Sequence, residues 1–195
     1  VSPALADGIQ SLAPRANLHV VPNIVTHCDY QPVEKRPSTS ICVVADIVFS
    51  IKQQDTIIEV FSELPQMQFE LHFYGGGPDE SRLTELLKQR SNMFFHGRKS
   101  NAEILQHLPQ HHALVLFSVY ETFGITVFEA SQAGLWAIAK KNFGGAPHYD
   151  EVCMTVESTD ELKMALLKLA HLPQPKAANF EKLRPTTIGN MLSSR

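Results

Sequence analysis

The chain has 195 residues, is 44% hydrophobic and carries a formal charge of -3, enough apolar material for one ordinary domain with a real core. Acidic and basic residues are nearly balanced, with no basic stripe to neutralise a phosphate backbone, which excludes nucleic acid as a partner. No apolar run approaches the roughly 20 residues that cross a bilayer, so membrane contact is expected only through a parent protein.

The first residue is Val1 rather than Met, and the opening stretch reads as a helix leading through a turn into a short strand. Residues 1–17 are expected to be the tail of a preceding segment or linker, the chain as a whole being a piece of a longer protein. After Pro32 and Pro37, the run STSICVVADIVF is short and rich in β-branched residues, as a buried strand is. Ile57, Ile58, Val60, Phe61 and Leu64 then recur at near-helical spacing until Pro65 stops the pattern.

The same alternation continues. QFELHFYGGG reads as a strand and a Gly turn, and DESRLTELLKQR as an amphipathic helix with acidic residues in its first turn, where the helix dipole favours them. NMFFHG is a short strand, residues 101–108 a small helix closed by Pro109, and HALVLFS another apolar strand. A helix over 125–133, the strand LWAIAK, a Gly-Gly loop, the strand EVCMTVE and a helix over 160–171 complete the series. Pro173 and Pro175 mark a linker before a last helix over about 180–192, which is expected to cross to a missing domain.

Apolar β-rich runs alternating with helices argue for an α/β fold, a doubly wound, Rossmann-like parallel sheet covered on both faces and spanning residues 18–172. Ligands of such folds bind at the carboxyl ends of the strands. The segments 75–78, 118–124 and 143–147 fall at those ends.

The strongest local feature is VYETFGITVFEASQAG, where Glu121 and Glu129 are separated by seven residues. An isolated Glu is ordinarily a solvated surface residue. Here the first Glu follows an apolar strand and a polar turn, Phe123-Gly124 and Ile125 open a helix, and Gly134 ends it. PNIV at Pro22 to Val25, GGGP at Gly75 to Pro78 and FGGAP at Phe143 to Pro147 accompany it in order. Together these residues resemble the group 1 family of retaining glycosyltransferases of the GT-B fold, in their carboxy-terminal, nucleotide-sugar-binding half.

That resemblance implies transfer of a hexose from a nucleoside diphosphate sugar, with no cofactor and no metal, in company with a missing amino-terminal GT-B domain. It implies that Glu121 holds the transferred sugar and Glu129 the ribose hydroxyls. Lys52 would grip the diphosphate, with the amides around Phe123, Gly124 and Ile125. Gly76, Gly77 and Arg98 would complete the donor site. The chemistry is consistent: negative charge grows on the diphosphate as the bond to the sugar breaks, so fixed positive potential belongs there, and a helix N-terminus supplies part of it.

Asp46 stands where the family usually has an Arg. A carboxylate beside a diphosphate repels it by about a few kcal/mol when desolvated. Asp46 therefore favours a second reading, a catalytically degenerate, glycosyltransferase-like binding or regulatory module. Cys28, Cys42 and Cys153 form no C-x-x-C pair and are odd in number, which fits a reducing, cytoplasmic setting. His107 and His111 have i, i+4 spacing, but Pro109 between them spoils the helix that a metal pair would require.

Overall fold

The computed structural model describes residues 3–18, 23, 25, 30, 37–141 and 153–178. A first helix, α1, spans Pro3–Leu12. The strands are β1 (Thr39–Val44), β2 (Phe69–Tyr74), β3 (Met93–Phe95), β4 (Ala113–Leu116), β5 (Trp136–Lys140) and β6 (Cys153–Val156). Between them run α2 (Phe49–Lys52), α3 (Gln54–Ser62), α4 (Glu80–Leu87), α5 (Asn101–His107) and α6 (Ile125–Gln132), and α7 (Thr159–Leu169) follows β6. FGGAP and residues 180–192 lie outside the described residues, as do Pro22 and Ile24 of PNIV.

The six strands form one parallel sheet in the order β3-β2-β1-β4-β5-β6. Alternate side chains feed two cores. Ile41, Val43, Val115 and Ile138 point to the face covered by α3, α4 and α7, with Ile57, Phe61, Leu83 and Leu166. Cys42, Leu114, Leu116 and Ala137 point to the other, covered by α5 and α6, with Ile104, Val127 and Phe128. Both faces are apolar because both are covered, which is why the strands read as continuous apolar runs. Phe61, Phe69, Phe73, Phe117 and Phe128 are all buried.

The first strand is shorter than the sequence suggests. It ends at Val44, and the apolar residues beyond it, Ile47 and Phe49, are buried in a loop and in the first turn of α2 instead. The cause is the loop after β2. Ile47 N–H donates to the Gly76 carbonyl at 3.1 Å, Asp79 N–H donates to the Ile47 carbonyl at 3.2 Å, and the Asp79 carboxylate receives the Phe49 N–H at 2.8 Å. These bonds clamp residues 45–49 to residues 75–79 and turn the chain into α2.

Glycine makes the clamp possible. Gly75 has φ +147°, and a Cβ there would lie 1.8 Å from the Ala45 carbonyl oxygen; one on Gly77 would lie 2.4 Å from the Ile47 carbonyl oxygen. The GGG turn is thus explained by close backbone approach.

Gly75→Ala is expected to cost on the order of 3 kcal/mol, because it combines a clash with a disfavoured backbone. Gly97→Ala, with φ +69° and nothing within 4 Å of the added Cβ, isolates the backbone effect and is expected to cost roughly 1–2 kcal/mol. Urea unfolding of the two variants compares them; equal losses would show that the clamp contributes nothing.

Candidate functional site

The strand order reverses direction beside β1. Its chain leads on toward β2 on one side, while β4 lies on the other and leads away to β5. A crevice opens at such a point because the two connections diverge to opposite sides. At the carboxyl ends of β1 and β4 lies a cleft of about 270 Å³, its walls including Val44, Asp46 and Leu116.

Lys52, Glu121, Phe123, Gly124 and Ile125 all line this cleft. Lys52 is the last residue of α2, so the short helix that the sequence did not announce is what aims it. Its Nζ donates to Glu121 Oε2 at 2.8 Å, the two side chains being 21% and 17% exposed. Glu121 Oε1 accepts the N–H groups of Gly124 at 3.3 Å and Phe123 at 3.5 Å. One carboxylate therefore bridges the cation and the amides at the start of α6.

Gly124 is the N-cap of α6 with φ 75° and ψ 53°. That left-handed conformation suits a residue without Cβ. Phe123 is fully packed against Phe128, the rings stacked 4.8 Å apart. Its contribution to the cleft is its backbone N–H.

Glu129 is placed differently. It does not line the cleft; it is the fifth residue of α6, 4% exposed, and accepts a hydrogen bond at Oε1 from Asn101 Nδ2 at 3.0 Å. Burial raises its pKa above the ordinary 4.5, and the Asn101 hydrogen bond works against that rise. Oε2 receives no hydrogen bond among the described residues. Five residues of helix rise separate Gly124 from Glu129, about 7–8 Å along the axis.

Arg98, Gly76 and Gly77 also lie off the cleft wall. Arg98 Nη2 approaches Asp46 Oδ1 at 3.4 Å and the Gly76 carbonyl at 3.3 Å, and Gly77 N–H donates to Glu80 Oε1 at 2.7 Å. The Asp46 carboxylate on the cleft wall is thus faced by the Arg98 guanidinium, both groups about two-thirds exposed. Asn23 and Thr122 line the cleft as well. Asn23 belongs to the PNIV stretch; Thr122 was signalled only by its place between Glu121 and Phe123.

Of the two His at i, i+4 spacing, His111 is buried with its ring nitrogens 2.8 Å from Ser40 Oγ and 3.0 Å from Tyr74 Oη. It serves the packing under β1 and β2. No helix among the described residues is long and apolar enough to cross a membrane.

Comparisons with known proteins agree with this architecture. The family profile for glycosyl transferases group 1 matches residues 31–182. The GtfA subunit of UDP-N-acetylglucosamine–peptide N-acetylglucosaminyltransferase from Streptococcus pneumoniae is 33% identical over 79 residues, 40% of this chain and 15% of that protein. The apo form of the lipopolysaccharide outer core galactosyltransferase WaaB superposes with a TM-score of 0.78 at 17% identity, over 99% of this chain and 59% of that one. Anabaena Alr3699/HepE, solved in complex with UDP, gives 0.68 at 15% identity, over 100% of this chain and 52% of that one. The chain thus spans a little over half the length of these two structures. With the profile covering most of its length and the sheet, crevice and glutamate motif in place, the chain belongs to the group 1 glycosyltransferase family.

Proposed function

We propose that this chain is the nucleotide-sugar-binding half of a retaining GT-B glycosyltransferase, which moves a hexose from a nucleoside diphosphate sugar to an acceptor. The observation that carries the reading is the convergence of Lys52, Glu121 and the α6 amides in one cleft at the point where the strand order reverses. Each is a partner suited to one part of such a donor. Lys52 and the N–H groups at the start of α6 meet the diphosphate, and a carboxylate accepts sugar hydroxyls.

Glu121 engages both positive partners itself. Both side chains of the Lys52–Glu121 pair lie on the cleft wall, where an anion can reach them. A diphosphate carrying more charge can therefore displace it, taking Lys52 and the amides and freeing Glu121 for the sugar. Positive charge at that position stabilises the leaving diphosphate as the bond breaks. In a retaining transfer by front-face attack, the leaving phosphate oxygen then helps take the acceptor's proton. Lys52 and backbone meet the growing charge, so the reading calls for no metal. The acceptor would come from an amino-terminal GT-B domain closing over the cleft.

A ribose role for Glu129 fits a carboxylate that folding has largely buried, with one oxygen held by Asn101 and the other without a hydrogen bond among the described residues. Asp46 keeps the degenerate-module reading in play, but its pairing with Arg98 removes much of the charge on which that reading rests. The Asp46→Arg variant separates the two: a working site is disturbed, whereas a degenerate one gains affinity for the diphosphate.

Titrating UDP, ADP and GDP into the protein by calorimetry, and repeating the best of them with Lys52→Ala, tests the diphosphate assignment. Loss of a charge-assisted contact is expected to weaken binding roughly tenfold or more. Unchanged affinity would remove Lys52 from the site.

Glu129 also gives a pH signature. Its folded pKa lies above the 4.5 of an ordinary Glu, so its contribution is complete below that pH and is lost as pH rises through the folded value. Glu129→Gln, which escapes this loss, is expected to match the wild type near pH 4 and to become progressively the more stable of the two above it. Thermal midpoints of both proteins from pH 4 to 8 check this, and a difference independent of pH would contradict the buried-carboxylate account.

A further inference from the structure

Asn101 has no evident reason to be Asn. It is the first residue of α5 and exposed. The capping of that helix is already complete without it: Ser100 Oγ accepts the Glu103 N–H, and the Glu103 carboxylate accepts the Ser100 N–H at 2.8 Å. Helix propensity gives no reason either, since Asn is a weaker helix former than Ala. What its side chain does is reach across to Glu129 Oε1 at 3.0 Å.

Glu129 has three side-chain torsions and lies in a nearly closed environment. Left to itself, a buried carboxylate either takes up a proton or turns toward whatever donor is near. A single amide donor on one oxygen opposes both: it favours the charged form, against the larger effect of burial, and fixes the plane of the carboxylate. Because the donor engages Oε1 alone, Oε2 stays available. The amide also comes from another element, the first residue of α5, so the hold on Glu129 does not depend on α6 itself.

We propose that Asn101 is a positioning residue for nucleotide recognition, holding Glu129 by one oxygen so that the other is presented to the ribose hydroxyls. This rests on the reading that Glu129 binds ribose. Asn101 touches neither the sugar nor the diphosphate. Its effect is on the ability of the site to tell a ribonucleotide from a 2′-deoxyribonucleotide.

The test measures affinity for UDP and for 2′-deoxy-UDP by calorimetry in the wild type, Glu129→Gln, Asn101→Ala and Asn101→Asp; if ADP or GDP binds better, that nucleotide and its 2′-deoxy form replace them. Asn101→Ala suits a first helical position, and Asn101→Asp suits the helix dipole, so at least one is expected to keep the fold. The wild type is expected to prefer the ribonucleotide by roughly tenfold. Both Asn101 variants are expected to lose most of that preference, with affinity for the deoxynucleotide nearly unchanged, which a merely destabilised helix would not produce. Asn101→Asp loses the most, since it sets a second carboxylate against Glu129. If Glu129→Gln loses the preference and the Asn101 variants keep it, the positioning role is overturned while the ribose reading stands. A wild type without preference, or a Glu129→Gln that retains it, overturns the ribose reading and the proposal with it.

Discussion

Everything at this site follows from β1 having parallel neighbours on both sides whose connections run in opposite directions. β2 and β4 pair with β1 in register, but the chain leaving β1 and the chain leaving β4 diverge, and a cleft opens beside Val44 and Leu116. The sheet thereby creates a hollow bordered by strand ends and by the start of a helix, where backbone N–H groups collect. The Lys52–Glu121 pair spans that hollow. One partner arrives from the loop after β1 and the other from the loop after β4, so their meeting requires both strands to be placed correctly.

The sheet and its helices were legible because parallel strands buried on both faces carry unbroken apolar runs, and helices carry the longer period. Every strand and helix expected between residues 38 and 171 has its counterpart, with ends shifted by a few residues. The exception is α2. VFSIK is as apolar and β-branched as a strand continuation, and nothing local shows that the GGG loop will dock against it. That information sits some thirty residues away, in Gly75, Gly77 and Asp79. The site was legible to the extent that it lies in one motif. Lys52, Glu121 and the amides of Phe123 and Gly124 converge as their pattern implied, whereas Glu129 reaches a second environment beside α5, and its Asn101 partner lies 28 positions earlier. Pairings of this kind depend on crossover geometry, which spacing alone does not encode.

The charges around the cleft form two layers. Lys52 and Glu121 are the inner pair, about one-fifth exposed; Arg98 and Asp46 are the outer pair, about two-thirds exposed. At that exposure solvent and salt screen the outer pair heavily, so the Asp46 charge on the cleft wall is itself a weak one. Seen alone, Asp46 looks hostile to an anionic ligand. With Arg98 opposite at 3.4 Å, the two charges partly offset each other.

The two glutamates of the motif reach opposite situations by the same helix. Glu121 sits before the helix begins, in contact with amides and a cation. Glu129 sits five residues in, where the helix has turned toward the core and the carboxylate loses solvent. A protein selected for stability alone would place an apolar residue or an exposed Glu at that second position, since Val127, Phe128 and Ala130 around it are fully buried. Retaining a carboxylate there lowers the stability of the unliganded domain at neutral pH, and Asn101 recovers only part of it. In the proposed function that deficit is what a ribonucleotide relieves: its hydroxyls satisfy the open oxygen, so affinity for the correct donor comes partly from a cost the free protein already bears.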